Sequence, residues 1–509
     1  KLLNTSNGEG KLSNHINNVY YGNNGVTEIV NSPLDEVSTT TNSALALVDD
    51  NYDSYLQIND WDFGVSYHRN WRLTFEFDDT YEMNYISFAG PVNDSSINNI
   101  GISYYDESGK EVDASIDAFR RKTDDNGRIY FIAHLAKPIK TNKVRFGVQS
   151  SNRTMRISEF NFYYYDSLEE DVNALFTDSF HLTVKDDVTS TTLDDLQTRL
   201  NTLDEVSQEL HPFKDLIQLE LNQARQVVEG TALQNIQEIH NGIAASKQGN
   251  LGFGGLNSWQ PLGYVTYPGD TFIVYVGQEG KRNGQAVNLQ LVYSQYHAES
   301  ASFVSSPISL KVGKNEISMK ELQSIGVEKG GSVYVQYTGN SNEKIAVRVS
   351  GGEKIATLDL YQVSDENERL EKVKTYLQSL QTQINKMASK HEELHRDDNS
   401  VNYDYDEKNC ILGATEIMLD HMLYSVSGKQ IMAGLKGTTL DEKANQLLNS
   451  LNAMDQMMEL FYQNKGLNEN AAAINDRYPA QHLNIRYQRM FAGAFMYAGG
   501  NHIGIEWGS

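Results

Sequence analysis

Trp71–Phe77 reads WRLTFEF, in which Leu73, Phe75 and Phe77 alternate with Arg72, Thr74 and Glu76. That period of two lays the apolar side chains on one face of a strand. Similar short runs lie on the C-terminal side: NYISFAG (84–90), NIGISYYD (99–106), RIYFIAHL (128–135), KVRFGVQ (143–149) and ISEFNFYYYD (157–166). Asn, Asp and Gly clusters separate them, and the pattern predicts an antiparallel β-sandwich over residues 27–170, behind an N-terminal extension of residues 1–26.

Beyond it the period changes. Leu193, Leu196, Leu200, Leu203, Val206 and Leu210 recur at steps of three and four, and His211-Pro212 breaks the run before a second helical stretch. A helical linker over 171–248 follows from that spacing. After the turn GNLGFGG (249–255), the runs TFIVYVG, VNLQLVYSQ, ISLKVG, SVYVQY, KIAVRVS and TLDLYQV predict a second, smaller β-sandwich over 249–364. From Asp365 two apolar stripes predict a mainly helical region to residue 509. One runs through Leu370, Val373, Leu377, Leu380, Ile384 and Met387, the other from Leu440 to Phe461. Thr439 with Glu442 forms a capping box for the second helix, and Gly466 suits its stop. The expected fold class is therefore multidomain α+β.

The 509 residues carry 43 Lys+Arg against 67 Asp+Glu, a formal charge of -24. Such a surface repels nucleic-acid phosphates, so nucleic acid is excluded as a principal partner. The lone cysteine, Cys410, rules out an intrachain disulfide framework. No apolar run approaches the roughly 18 residues that a membrane-spanning helix needs.

HEELH, His391–His395, fits H-E-x-x-H, in which two histidines four apart share a helix face for zinc and Glu392 would serve as the base. Glu416 is a candidate third ligand. Extension of the apolar stripe from Met387 reaches His391, however, and the surrounding MASKHEELHRDDNS is polar where a catalytic zinc helix needs a dry shell. HEELH is read as a packed helix face that matches the motif by chance, and no catalytic residue is assigned.

The stretch WQPLGYVTYPGDTFIVYVG (259–277) resembles the opening of the enhancin-like, mucin-targeting zinc metallopeptidase family, a gluzincin-type group. LQLVYSQYHAES, GGSVYVQYTG, VRVSGG, NCILGATEIMLDHMLYSV and HLNIRYQRMFAGAFMYAGGNHIGIEWGS continue the likeness, which covers about residues 259–509. The resemblance implies a zincin-like catalytic domain that hydrolyses peptide bonds in O-glycosylated proteins with a zinc-polarised water. It also implies an H-E-x-G-H helix downstream of Ser509, so that this chain is expected to stop before its zinc ligands and to be inactive alone. The 27–170 sandwich is similar to discoidin-type, galactose-binding-like modules. LALVDDNYDSYLQ resembles their acidic turn, and the likeness implies a structural calcium on Asp50, Asp53 and Glu159. The loop NDWDFGVSYHRNW offers Trp61, His68, Arg69 and Trp71 for a sugar ring and its hydroxyls. The expected protein is thus a secreted or surface-held bacterial glycopeptidase whose partners are mucin-like proteins and host glycans. A glycan-binding adhesin without enzymatic activity is the alternative.

Overall fold

The computed structural model describes residues 15–23, 29–31, 44–49, 51–59, 70–92, 97–124, 126–150, 154–164, 166–202, 211, 213–244, 253–266, 271–295, 304–318, 331–340, 342–397, 413–488, 496–499 and 502–506. It divides into two compact units, Lys1–Ala232 and Leu233–Ser509. The multidomain α+β class is observed, with six α-helices and five sheets among the described residues.

The first unit contains β1 (Ile16–Asn23), β2 (Ile29–Asn31), β3 (Leu56–Asn59), β4 (Asn70–Ala89), β5 (Ile97–Tyr105), β6 (Glu111–Ala114), β7 (Ile116–Thr123), β8 (Ile129–Ser150), β9 (Thr154–Ile157) and β10 (Glu159–Tyr163). All pairings are antiparallel. The main sheet runs β2-β1-β4-β8-β5-β6, with β10 added on β4 and β7 on β8, while β3 and β9 pair separately. The alternation read in WRLTFEF holds: Leu73, Phe75 and Phe77 are buried in one core with Phe88, Phe131, Phe146, Phe160 and Phe162. The rings of Phe75 and Phe160 lie 4.8 Å apart and those of Phe88 and Phe131 4.9 Å, spacings at which aromatic pairs attract beyond their area burial.

Helices α1 (Leu168–Asn173), α2 (Ser190–Asn201) and α3 (Lys214–Glu229) belong to the same unit and share their own core of Leu168, Val172, Leu193, Leu196, Leu200, Ile217 and Leu221. The predicted helical segment thus divides between the two units after Ala232. A buried ionic cluster joins α1 to the strands. Glu169 Oε1 accepts from Arg120 Nη2 at 2.7 Å, and Glu169 Oε2 lies 2.9 Å from His134 Nδ1 and accepts from the Tyr85 hydroxyl at 2.8 Å. Glu170 Oε1 meets His134 Nε2 at 3.1 Å, and Asp117 stands 3.6 Å from Nδ1. The Phe213 ring covers the Arg120 guanidinium at 3.4 Å. Burial alone would lower the His134 pKa, but the Glu169 charge and the carboxylate hydrogen bonds outweigh it and hold the imidazole well above its ordinary value.

The second unit opens with β11 (Gln237–Glu238), β12 (Trp259–Thr266), β13 (Thr271–Gln278), β14 (Ala286–Gln295), β15 (Ile308–Lys311), β16 (Gly313–Ser318), β17 (Gly331–Tyr337), β18 (Ile345–Ser350) and β19 (Glu353–Lys354). Two antiparallel sheets, β11-β18-β13-β16 and β15-β14-β17-β12-β19, enclose Val274, Leu289, Leu291, Val335 and Val347; β11 precedes the expected 249–364 span, and the strand within TLDLYQV pairs into a different sheet.

Helix outweighs strand among the described residues of 365–509, as expected, but the expectation left out the strands that this region also holds. The region holds α4 (Glu366–Asp397), α5 (Gly428–Gly434) and α6 (Leu440–Asn464), together with five strands of a six-stranded mixed sheet whose sixth, β20 (Thr357–Asp359), precedes it. The sheet order is β20, β21 (Ala414–Met418), β22 (Met422–Ser427), β23 (Leu483–Gln488), β25 (His502–Glu506) and β24 (Met496–Gly499). Leu358, Leu377, Leu380, Ile417, Leu447 and Leu451 seal the helices onto it. The N-cap half of the capping box is observed, with Thr439 accepting from the Glu442 amide, while the Glu442 carboxylate accepts from the Thr438 amide at 2.8 Å; Gly466 beyond the helix end takes φ +80°. No helix among the described residues is long and apolar enough to cross a membrane.

Candidate functional site

Cross-strand register on the mixed sheet lines up one row through all six strands: Thr357, Glu416, Ser425, Arg486, Gly504 and Tyr497. Its middle members are buried polar groups facing the small sandwich. The Tyr334 hydroxyl of β17 donates to Glu416 Oε1, and Ser425 Oγ donates to the same oxygen at 3.0 Å. Arg486 Nη2 donates to Tyr334 Oη at 3.3 Å and to Ser294 Oγ at 3.1 Å. The guanidinium lies 5.2 Å from the Trp259 ring centroid, and Trp259 stacks on Tyr334 at 4.7 Å. Trp259 is therefore sandwich core, 2% exposed. Burial pushes the Glu416 carboxyl up to about 7, a rise that the Arg486 charge and the hydroxyl hydrogen bonds reduce without cancelling.

Beside this cluster the loop Gly255–Ser258 is pinned to β23. Asn257 Nδ2 donates to the His482 carbonyl at 2.9 Å, and Asn484 Nδ2 donates to the Leu256 carbonyl at 2.8 Å. Burial lowers His482 to about 3, so it stays neutral. Glu416 is 1% exposed, and a carboxyl sealed there cannot reach a substrate. It joins two layers of the unit.

The accessible end of the row is different. β24 is the edge strand, antiparallel to β25, and its residues are exposed or half-exposed. The Tyr497 ring occupies the space a Cβ at Gly504 would need, and its hydroxyl lies 3.0 Å from His502 Nε2.

Glu416 is also where the structure bears on HEELH. The side chains of His391, Glu392 and His395 lie outside the described residues, although α4 runs through them. Neighbouring residues of a strand face opposite sides of the sheet. Thr415 bonds Tyr376 of α4 at 2.7 Å, whereas Glu416 bonds Tyr334 on the sandwich side. The carboxylate named as a third zinc ligand therefore points away from α4 and is committed to the junction. Glu416 is therefore not placed to serve as that third ligand, and among the described residues no group of three or more His, Cys, Asp or Glu is placed to hold a metal.

In the first unit Trp61, His68 and Arg69 lie outside the described residues. Trp71 lies in β4, with its backbone opposite Val148, and its side chain is outside them too. Asp50 is likewise outside. Asp53 is exposed, its carboxylate accepting from Arg128 Nη2 at 2.8 Å, in a turn where the Asn51 amide donates to Asp49 and the Asp53 amide to Asn51. Glu159 is fully buried on β10, its backbone opposite Ala89.

No protein-family model matches the sequence, and no curated protein matches it. Among solved structures the chain is similar to the CBM32-1, CBM32-2 and M60 catalytic domains of Clostridium perfringens ZmpB, at 17% identity over 97% of this chain and 46% of that one, with a TM-score of 0.44. It is similar to a metallopeptidase from Bacteroides thetaiotaomicron at 14% identity over 68% of this chain and 47% of that one, with a TM-score of 0.40. It is also similar to the M60 catalytic domain of Clostridium perfringens ZmpC in complex with the sialyl T antigen, at 18% identity over 54% and 48%, with a TM-score of 0.38. The chain spans just under half the length of these three structures.

Proposed function

We propose that this chain is the front portion of an extracellular bacterial zinc peptidase that cleaves O-glycosylated, mucin-like proteins, with the first unit presenting a glycan-binding face. The observation that carries the reading is the antiparallel edge of β24 on the mixed sheet, which no other strand among the described residues covers. An extended peptide can add to such an edge through its main chain, leaving alternate side chains to be read. The likeness of residues 259–509 to the enhancin-like family supports the zinc chemistry, and no zinc ligand is assigned to a residue of this chain. In the first unit Trp61, His68, Arg69 and Trp71 are the proposed sugar contacts, and Asp50, Asp53 and Glu159 the proposed calcium ligands.

The test is a protein that carries whatever the gene encodes after Ser509, assayed on matched glycosylated and bare peptides with and without chelator. Chelator-sensitive cleavage of the glycosylated peptide is expected, with the bare peptide a poor substrate, because polar groups built to meet sugar hydroxyls are left unpaired without them. Equal rates would overturn the glycan requirement. Cleavage of neither peptide, with glycan binding retained, would favour the adhesin.

A further inference from the structure

At the opposite edge of the mixed sheet, β20 pairs with β21 on one side only. The Ala356 carbonyl accepts from the Glu416 amide at 3.3 Å, and the Leu360 amide donates to the Met418 carbonyl at 2.9 Å, so even-numbered residues turn their peptide groups toward β21. Odd-numbered residues turn theirs outward, as the Ile355 amide does in donating to the Gly263 carbonyl at 2.9 Å. Thr357 and Asp359 therefore present backbone N–H and C=O groups to the far side, where no strand among the described residues pairs with them.

That side is a groove of about 790 Å³. One wall is the polar flank of α4, where Thr375, Ser379 and Thr382 are short, exposed side chains; the other is formed by Gln237, Leu262 and Gly263. Gln383 fixes the first wall by accepting from the Ala356 amide at 2.6 Å and donating to the Ala414 carbonyl at 2.7 Å. An unguarded sheet edge invites pairing with another sheet, but a slot walled on both faces admits one strand and excludes a sheet.

Charge gives the slot a direction. α4 runs antiparallel to β20, so Glu368 and Glu371 flank the Asp359 end, with Lys372 among them, while Lys354 and Lys386 flank the other. From Glu368 to Lys386 the helix covers about 27 Å, the length of about eight extended residues. Of these, only the ones opposite Thr357 and Asp359 can bond the edge, because Gly263 takes the Ile355 amide.

We propose that the groove between α4 and the free edge of β20 docks a single extended polypeptide segment, antiparallel to β20, basic toward its N-terminus and acidic toward its C-terminus. Main-chain bonds to Thr357 and Asp359 hold it, and the end charges set its direction. The site is separate from β24, and the proposal stands whether or not the protein is a peptidase.

The test uses the whole chain and a fluorescein-labelled peptide, Lys-Thr-Val-Thr-Val-Thr-Val-Glu, with its reversed sequence and a copy N-methylated at alternate residues as controls, read by anisotropy. Saturable binding of the first peptide is expected, weaker by about tenfold or more for each control, the scale of one lost backbone hydrogen bond. Ser379→Trp, at an exposed position that leaves the fold intact, should abolish binding, and Lys354→Glu with Lys386→Glu should remove the preference for direction. No saturable binding below about one millimolar, or binding indifferent to N-methylation and to Ser379→Trp, would overturn the proposal. So would sedimentation showing that the groove is filled by a second copy of the chain.

Discussion

In the first unit the buried Glu169 carboxylate stands directly between the Arg120 guanidinium and the His134 imidazole. In the second, the buried Glu416 carboxyl meets the hydroxyls of Tyr334 and Ser425, and Arg486 reaches the same Tyr334 oxygen from its other side. Direct contact with carboxylates keeps a buried histidine charged. A cation held at one hydroxyl's remove only partly offsets burial, which still pushes Glu416 up to about 7. A neutral acid can donate as well as accept, so the second junction is a hydrogen-bonded seam where the first is an ionic lock.

The largest effect that could break this contrast is that of Glu169→Ala, which removes the carboxylate shared by buried Arg120 and His134, leaving the imidazole with Glu170 and Asp117. A loss of about 3–5 kcal/mol is expected in a denaturant titration of the whole chain; a loss below about 1 kcal/mol would make the lock ordinary. Next comes Glu416→Gln. Because the folded-state carboxyl is raised above the ordinary 4.5, the native chain binds more protons than the unfolded one between 4.5 and about 7. Wild-type stability therefore falls as pH rises through that window. The glutamine variant lacks that slope and should be the more stable at pH 8 by up to about 3 kcal/mol, with the difference fading at pH 5. A difference unchanged between the two pH values would mean that Glu416 is ionised in its seam. The His134 contribution runs in a different window. Its raised folded-state value means that the stabilisation is fully present below the ordinary 6.5 and is lost as pH rises through the folded value. The smallest effect belongs to the acidic turn. A calcium ion on Asp50, Asp53 and Glu159 would give the first unit a second ionic lock, and chelation should then lower its melting temperature by a few degrees, about 1 kcal/mol. A melt indifferent to chelator and to added calcium leaves Arg128 as the cation that serves Asp53.

What was legible in the sequence depended on how local the signal is. WRLTFEF shows its face because its alternate residues are polar, and the Thr439 cap is legible because both partners lie within one turn. Ala414–Met418 was read as helical because the strand is buried on both faces, which erases the period of two. Glu416 looked like a metal ligand from its spacing to HEELH, whereas its partner Tyr334 lies 82 positions away. The Arg486 partnership was equally out of reach, although an arginine and an asparagine alternating within HLNIRYQ do hint at an inward polar face.

The two longest strands carry a consequence for the order in which the first unit can assemble. β4 and β8 are 20 and 22 residues long, and along β4 Trp71 faces Val148 while Ala89 faces Tyr130. β1, before β4 in the chain, and β10, after β8, pair with the same strand. β1 can pair with β4 early, but most of β4's bonding must wait until the chain through β8 and β10 has been made, so this unit is rich in distant contacts and should fold on the slow, millisecond-to-second scale of all-β domains. The α2–α3 hairpin, whose helices meet across a short separation, can close first and wait for it.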